Sequence, residues 1–315
     1  MVHKTTAFCY NQGMFKTNQS KFSTSPLHRR RILYFLFFVV VFAYFLWLNN
    51  TLVFPDPDSF YHAKITELTG DFGPVKDFPW LPFTTLNDIY IDHHFLYHLI
   101  LVPFVYFFDP LLVIKIAAVF FAALAIILFQ WLLDRLAIKY SFVYTLILLF
   151  SDKFIFRINL AKVPSLSLIV ILLVLYYLFI NKGRWSWPLF GLAFLYIWLY
   201  GGWPILLGIG LIYFIIIGAS NWLEEVRVQR TRNQKSEIRN ISREFKSLIR
   251  KLFSWESFQL PLNIFSGLLA GLIISPYFPR NLQFYWQQTF QIGLVNYRGL
   301  VDVGGEWYPL NFMDL

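Results

Sequence analysis

Charged residues are scarce in this chain. They make up 14% of its 315 residues, against 57% hydrophobic and 21% aromatic, and the mean hydropathy is +0.53. A soluble domain commonly carries about 25% charged residues, so a water-facing surface cannot be assembled and a soluble globular protein is excluded. Cysteine is nearly absent: the single Cys9 rules out an intramolecular disulfide framework and leaves the redox compartment undecided. Acidic residues are missing from the first thirty-one positions, which hold Lys4, Lys16, Lys21, Arg29, Arg30 and Arg31. The formal net charge is +9. In a sequence this apolar, that excess belongs beside the inner membrane surface rather than on nucleic acid. No small-residue cleavage site follows the first apolar run, Ile32 to Leu48. The run is long enough to span, so it reads as a retained helix with a cytoplasmic N-terminus and not as a signal peptide.

What the chain has instead is a series of apolar runs, at about 95–109, 111–133, 164–180, 185–200, 203–218 and 259–277. With 32–48 they predict an all-α, polytopic bundle of about seven spans. Residues 1–31 form a basic tail, expected to be disordered, and 32–315 the membrane domain. Segment 221–258 carries nine Lys or Arg against five Glu and is assigned to the cytoplasm. Counting crossings from an inside start then puts 50–94, 134–163 and 280–315 outside. Residues 134–163 fit this poorly, with five Lys or Arg against Asp134 and Asp152. The apolar piece Ser141–Phe150 is short for a span, so it is expected to be re-entrant or surface-lying.

The first external loop is far longer than a connection needs. It holds Asp56, Asp58, Glu67, Asp71, Asp77, Asp88 and Asp92 against Lys64 and Lys76, and His62, His93, His94 and His98 lie in it or at its edge. Such oxygen and nitrogen donors suit a divalent cation. Pro57 suits a first helical turn and Asp56 or Asp58 an N-cap, so a helix is expected to run to about Thr69 and stop at Gly70. It would place Asp58, Tyr61 and His62 on one face. The plainer reading of these aspartates is that they only cap a surface helix. For Asp92-His93-His94 it is a polar anchor at a membrane interface, with the adjacent histidines pointing apart. Lys153 and Arg157, at i, i+4 spacing, and Lys162 suit phosphate, whether a lipid headgroup or a substrate. Near the end, Gly304-Gly305-Glu306 precedes Trp307-Tyr308-Pro309 and presents one carboxylate, with Arg298 nearby.

The order of these pieces resembles the catalytic subunit of oligosaccharyltransferases, including the archaeal and bacterial single-chain forms, within the GT-C class of membrane glycosyltransferases. The matching pieces are Asp58-Ser59-Phe60-Tyr61-His62, Trp198-Leu199-Tyr200-Gly201-Gly202-Trp203 and Val303-Gly304-Gly305-Glu306-Trp307-Tyr308-Pro309. The resemblance covers roughly 30–315 and rests on order rather than on any single motif. It implies transfer of a glycan from a polyprenyl phosphate or pyrophosphate carrier to a protein or glycan acceptor, on the external face of a prokaryotic cell membrane. Asp58 and Glu306 would be catalytic. A divalent metal, Mn²⁺ or Mg²⁺, would sit on Asp58 with Asp92, His93 and His94; Lys162, Arg157 and Lys153 would face the donor phosphate; Asp56, His62 and Arg298 would assist. Two departures stand out. After Arg157 the family's second acidic motif is replaced by Ala161-Lys162-Val163-Pro164-Ser165, which would let Lys162 meet the phosphate directly, without metal. The family's C-terminal domain does not follow Leu315, which suggests a fragment. The close alternative is a GT-C enzyme that moves a single sugar from polyprenyl phosphate. A transporter is disfavoured because ionisable residues sit in loops rather than at mid-membrane. A non-catalytic scaffold would have no reason to bring Asp58, Glu306 and a histidine of 92–94 together.

Overall fold

The computed structural model describes residues 27–51, 53–84, 87, 89–180, 187–232 and 255–295. They are all-α, with no strand among the described residues. The helices are α1 (Leu27–Leu48), α2 (Asp58–Phe72), α3 (Phe95–Val105), α4 (Pro110–Arg135), α5 (Ser141–Leu149) and α6 (Asp152–Asn159). They continue with α7 (Pro164–Phe179), α8 (Trp187–Leu199), α9 (Pro204–Arg232), α10 (Trp255–Ile274) and α11 (Arg280–Trp286), followed by a π-helical segment, Gln287–Val295. Proline opens α4, α7 and α9, where its missing N–H costs nothing and its φ is already helical. At α4, Asp109 completes the start by accepting from the backbone N–H groups of Leu111 and Leu112.

Among the described residues three helices are long and apolar enough to cross a membrane: His28–Leu48, Pro110–Arg135 and Pro204–Leu223. The pair α6 and α7, bent by 104°, would make a fourth if it is one broken span. Large apolar side chains stay exposed along these helices, Phe35 at 64% among them. That arrangement is costly in water and neutral against lipid tails.

The ends of the helices are pinned in register. Tyr34 of α1 donates to Asp134 at the end of α4 at 2.5 Å, while Lys115 near the start of α4 donates to the carbonyl of Thr51 just past α1. The two helices are therefore antiparallel. Asp134 also accepts from Ser141 (2.5 Å) and Gln130 (2.9 Å), and Thr145 donates to Gln130 (2.8 Å). This holds the start of α5 beside the N-terminal half of α1. At the far end Asn49 donates to Asn159 at 2.6 Å. Between Ser141 and Asn159 the chain thus climbs from one end of the bundle to the other. The rise is about 22 Å, taken from the fifteen α1 residues between Tyr34 and Asn49 at about 1.5 Å each.

The start and finish of residues 134–163 lie at opposite ends of α1, and within the run 95–109 helix α3 has 11 residues, about 16 Å of helix. It lies alongside α2, with His62 meeting His98 at one end and Tyr106 donating to the Gly70 carbonyl at the other (2.6 Å). These hydrogen bonds hold α3 against α2.

Close packing on the other side of the bundle depends on glycine. A Cβ at Gly267 would lie 2.3 Å from the Phe190 carbonyl oxygen, and one at Gly271 would lie 2.6 Å from that of Phe194. Helices α8 and α10 therefore run parallel with their backbones nearly touching, and Trp198 donates to the Gly271 carbonyl at 2.7 Å. The main core joins α2–α4 and α7–α11, and a second core joins α1 to α4, α6 and α7.

Candidate functional site

The chemistry-bearing side chains gather at the end of the bundle where α1 finishes. Helix α2 begins at Asp58, whose backbone N–H donates to Asp56 Oδ1 at 2.8 Å. It runs through Gly70, which was expected to stop it, and ends at Gly73, whose φ of 75° favours glycine. The Gly70 carbonyl, whose helical partner would be the absent N–H of Pro74, is taken by Tyr106. Ser59, His62, Ala63, Ile65, Thr66 and Thr69 form its buried face, so His62 points inward one turn beyond Asp58.

Lys162 comes from the corner between α6 and α7. Its Nζ lies 2.6 Å from Asp56 Oδ2 and 2.5 Å from Asp58 Oδ2. The Lys162 side chain is 12% exposed, Asp56 18% and Asp58 58%. One ammonium thus bridges two carboxylates that would otherwise repel, across about a hundred residues of sequence. Burial alone would lower the Lys162 ammonium, but the hydrogen bonds to Asp56 and Asp58 outweigh it and hold the group above its ordinary value. Lys153 and Arg157 share the exposed side of α6, as their spacing predicted; the cation that meets Asp56 and Asp58 is Lys162.

Deeper in, a chain of hydrogen bonds links the loop before α3 to α2. Asp92 Oδ1 accepts from the His94 backbone N–H at 3.0 Å, and Oδ2 lies 2.7 Å from His98 Nδ1, both side chains being fully buried. His98 Nε2 lies 2.8 Å from His62 Nδ1. His94 Nδ1 is 3.0 Å from the Leu199 carbonyl oxygen, and His93 stacks on Phe284 with ring centroids 5.0 Å apart. The His93 and His94 rings do not point apart as expected. Their centroids are 3.9 Å apart, because the end of α8 and helix α11 close over both. Tyr61 and Tyr90 share a 2.7 Å hydroxyl contact, and burial pushes both phenols up.

Burial lowers His62, His93 and His94. For His62 the neighbouring His98, His93 and Lys162 lower it further, and for His93 the Asp92 carboxylate opposes the fall. All three rings are therefore neutral at pH 7.

The metal set implied by the resemblance does not converge in this arrangement. Asp92 is committed to His98 and the His94 backbone, and Asp58 to an ammonium. Among the described residues no group of three or more His, Cys, Asp or Glu side chains is arranged to hold a metal ion. Glu306 and Arg298 lie outside the described residues. The Gly201-Gly202 turn lies beside the site, two residues after Leu199. A Cβ at Gly202 would lie 2.3 Å from the Tyr200 ring, so a larger residue there would have to displace that ring. His98 was missed as a site residue because it falls within an apolar run. Its i, i+4 spacing from His94 and the preceding Asp92 were the signal available. No protein-family model, no curated protein and no solved structure matches the chain.

Proposed function

We propose that this protein is a GT-C-type membrane glycosyltransferase that moves a sugar or oligosaccharide from a polyprenyl phosphate or pyrophosphate carrier to a protein or glycan acceptor at the external membrane face. The observation that carries the reading is the Lys162 ammonium held between Asp56 and Asp58 at one end of an apolar bundle. An ammonium has three N–H donors. Two are taken by the carboxylates, and the third is left for an oxygen of the departing phosphate, where negative charge develops. Asp58, more than half exposed, is placed to orient the acceptor and offset positive charge growing on the sugar. Lys162 would then offer an N–H donor where a divalent ion acts in the family resembled.

The pinned ends support a membrane path in which α1 crosses outward, α4 inward, α5 with α6 outward, α7 inward, α8 outward, α9 inward and α10 outward. This keeps seven crossings but replaces the crossing at 95–109 with the broken pair α5 and α6. Arg135 and Lys139 then fall inside, as positive residues should. The carrier's tail would lie along the lipid-facing helices with its phosphate at Lys162.

The single-sugar reading is favoured by the same ammonium, since donors of that kind leave as a monophosphate that one cation can match. The test is donor turnover by the purified protein with mono- and pyrophosphate-linked sugars, with and without an Asn-containing peptide, and with and without Mn²⁺. Metal-independent transfer lost in Lys162→Met supports the site as drawn. Transfer that needs Mn²⁺ and survives Lys162→Met contradicts it.

A further inference from the structure

We infer that the end of the bundle opposite Lys162 binds one anionic phospholipid, with its phosphate on Arg30 and its first methylenes in a cavity between α1, α4 and α5. The glycosyltransferase reading is not needed for this site. The cavity has a volume of about 420 Å³. Arg30, Leu33, Tyr34 and Phe37 line it from α1 at the i, i+3, i+4, i+7 spacing of one helix face, and Phe142 lines it from α5. From Arg30 to Phe37 helix α1 rises about 10 Å. Over that distance the lining changes from a guanidinium to a pair of aromatic rings, Phe37 and Phe142, with centroids 5.6 Å apart. A bilayer makes the same change, from headgroup to hydrocarbon, over an interface of about 5–8 Å.

Charge selects the headgroup. In the segments that meet at this end, 27–37 and 130–142, Arg29, Arg30, Arg31, Arg135 and Lys139 stand against one carboxylate, Asp134. Asp134 already accepts from Tyr34, Gln130 and Ser141, so a phosphate at Arg30 would face a shielded carboxylate. A guanidinium offers its donors in a planar fork that matches phosphate oxygens. Helix α5 supplies a second, independent observation. Of its nine residues only Thr145 is buried, while Phe142, Val143, Tyr144 and Ile147 are half or more exposed. The cavity lies where α5 lacks protein contact with α1, and a lipid chain against Leu33 and Phe142 would complete that packing. General headgroup attraction would need the arginines but no cavity, and it would not separate half-buried Arg30 from exposed Arg29. The membrane path above puts this end in the inner leaflet, whose anionic lipids attract basic residues.

The test is native mass spectrometry of the purified full-length chain, with phosphatidylglycerol, phosphatidylcholine or inorganic phosphate added in turn. The wild-type protein is expected to retain one phosphatidylglycerol, with roughly tenfold or more the affinity it shows for phosphatidylcholine, and to melt at a higher temperature with it. Arg30→Gln should weaken that binding by roughly tenfold. Arg29→Gln, at an exposed residue outside the cavity lining, should stay within about twofold of wild type. Leu33→Trp fills the cavity from an exposed position, so it should exclude the lipid while the protein stays folded. Equal retention of the two lipids, equal losses in Arg29→Gln and Arg30→Gln, or unchanged retention in Leu33→Trp would overturn the site. Displacement of phosphatidylglycerol by an excess of inorganic phosphate would make it a free-phosphate site and overturn the lipid assignment.

Discussion

Replacing Lys162 with methionine keeps the stem of the side chain and removes only its charge, which isolates the ion pair that defines the site. Charge-assisted hydrogen bonds contribute about 1.5–3 kcal/mol each when sheltered. The Asp56 partner is 18% exposed and counts nearly in full, whereas Asp58 is 58% exposed and is discounted to about 0–1 kcal/mol for solvent screening. The sum is about 2–4 kcal/mol, lost where the segment before α2 is tied to the α6–α7 corner. If the same charge faces the leaving phosphate, transfer should fall by roughly 30- to 700-fold, at about 1.4 kcal/mol per factor of ten. The pair is insensitive to ordinary pH. The folded Lys162 value is raised, so its stabilisation is fully present below the ordinary lysine value of 10.5 and is lost only as pH rises through the folded value above it. The assay is turnover with thermal unfolding of the same detergent-purified preparation, with Lys162→Arg as the charge-preserving control. Lys162→Met with turnover within twofold of wild type and an unchanged melting temperature would refute the reasoning, because the pair would then be an ordinary surface contact.

Acidification should loosen the same end of the protein. His62, His93 and His94 are held below the ordinary value of 6.5, so their stabilisation is complete above that pH and is lost as pH falls towards the folded values; a melting temperature flat from pH 7.5 to 5 contradicts this. Gly267→Leu should cost more than about 3 kcal/mol, because even the first carbon would sit 2.3 Å from the Phe190 carbonyl oxygen; unfolding measurements that find the variant as stable as wild type would mean α8 and α10 are not in close contact. For the membrane path, a Cys9→Ser protein carrying Lys139→Cys should react with an impermeant thiol reagent only from the cytoplasmic side, and one carrying Asn50→Cys only from outside. Labelling of 139 from outside would contradict this path and match 134–163 as an external loop.

The helices were largely legible because proline and aspartate mark their starts. Asp109-Pro110, Val163-Pro164 and Trp203-Pro204 each open a helix as the local chemistry requires. The path was less legible, and for a physical reason. Runs 95–109 and 141–150 have the hydropathy of half-spans, and only tertiary partners decide between them. His98 draws α3 against α2, and the Asp134–Ser141–Gln130 cluster draws α5 into the bundle. At the site, Asp58, His62 and Lys162 could be named singly from residue type. Their meeting could not, since Lys162 and Asp58 are joined only through a corner whose geometry depends on α6, α7 and the Asn49–Asn159 bond. The Asp92–His98–His62 chain was hidden because His98 sits inside an apolar segment, where a lone histidine reads as a satisfied core residue.

The most direct test of the central claim is quantitation of polyprenyl phosphate released from a lipid-linked sugar by the purified protein, alongside Asp58→Asn. Asp58 lies in an exposed first helical turn, so this substitution leaves the fold intact. Release of carrier phosphate matched by glycosylated acceptor, and abolished in Asp58→Asn, is the predicted result. Equal release by the variant, or none by the wild-type protein with any donor, would contradict the account.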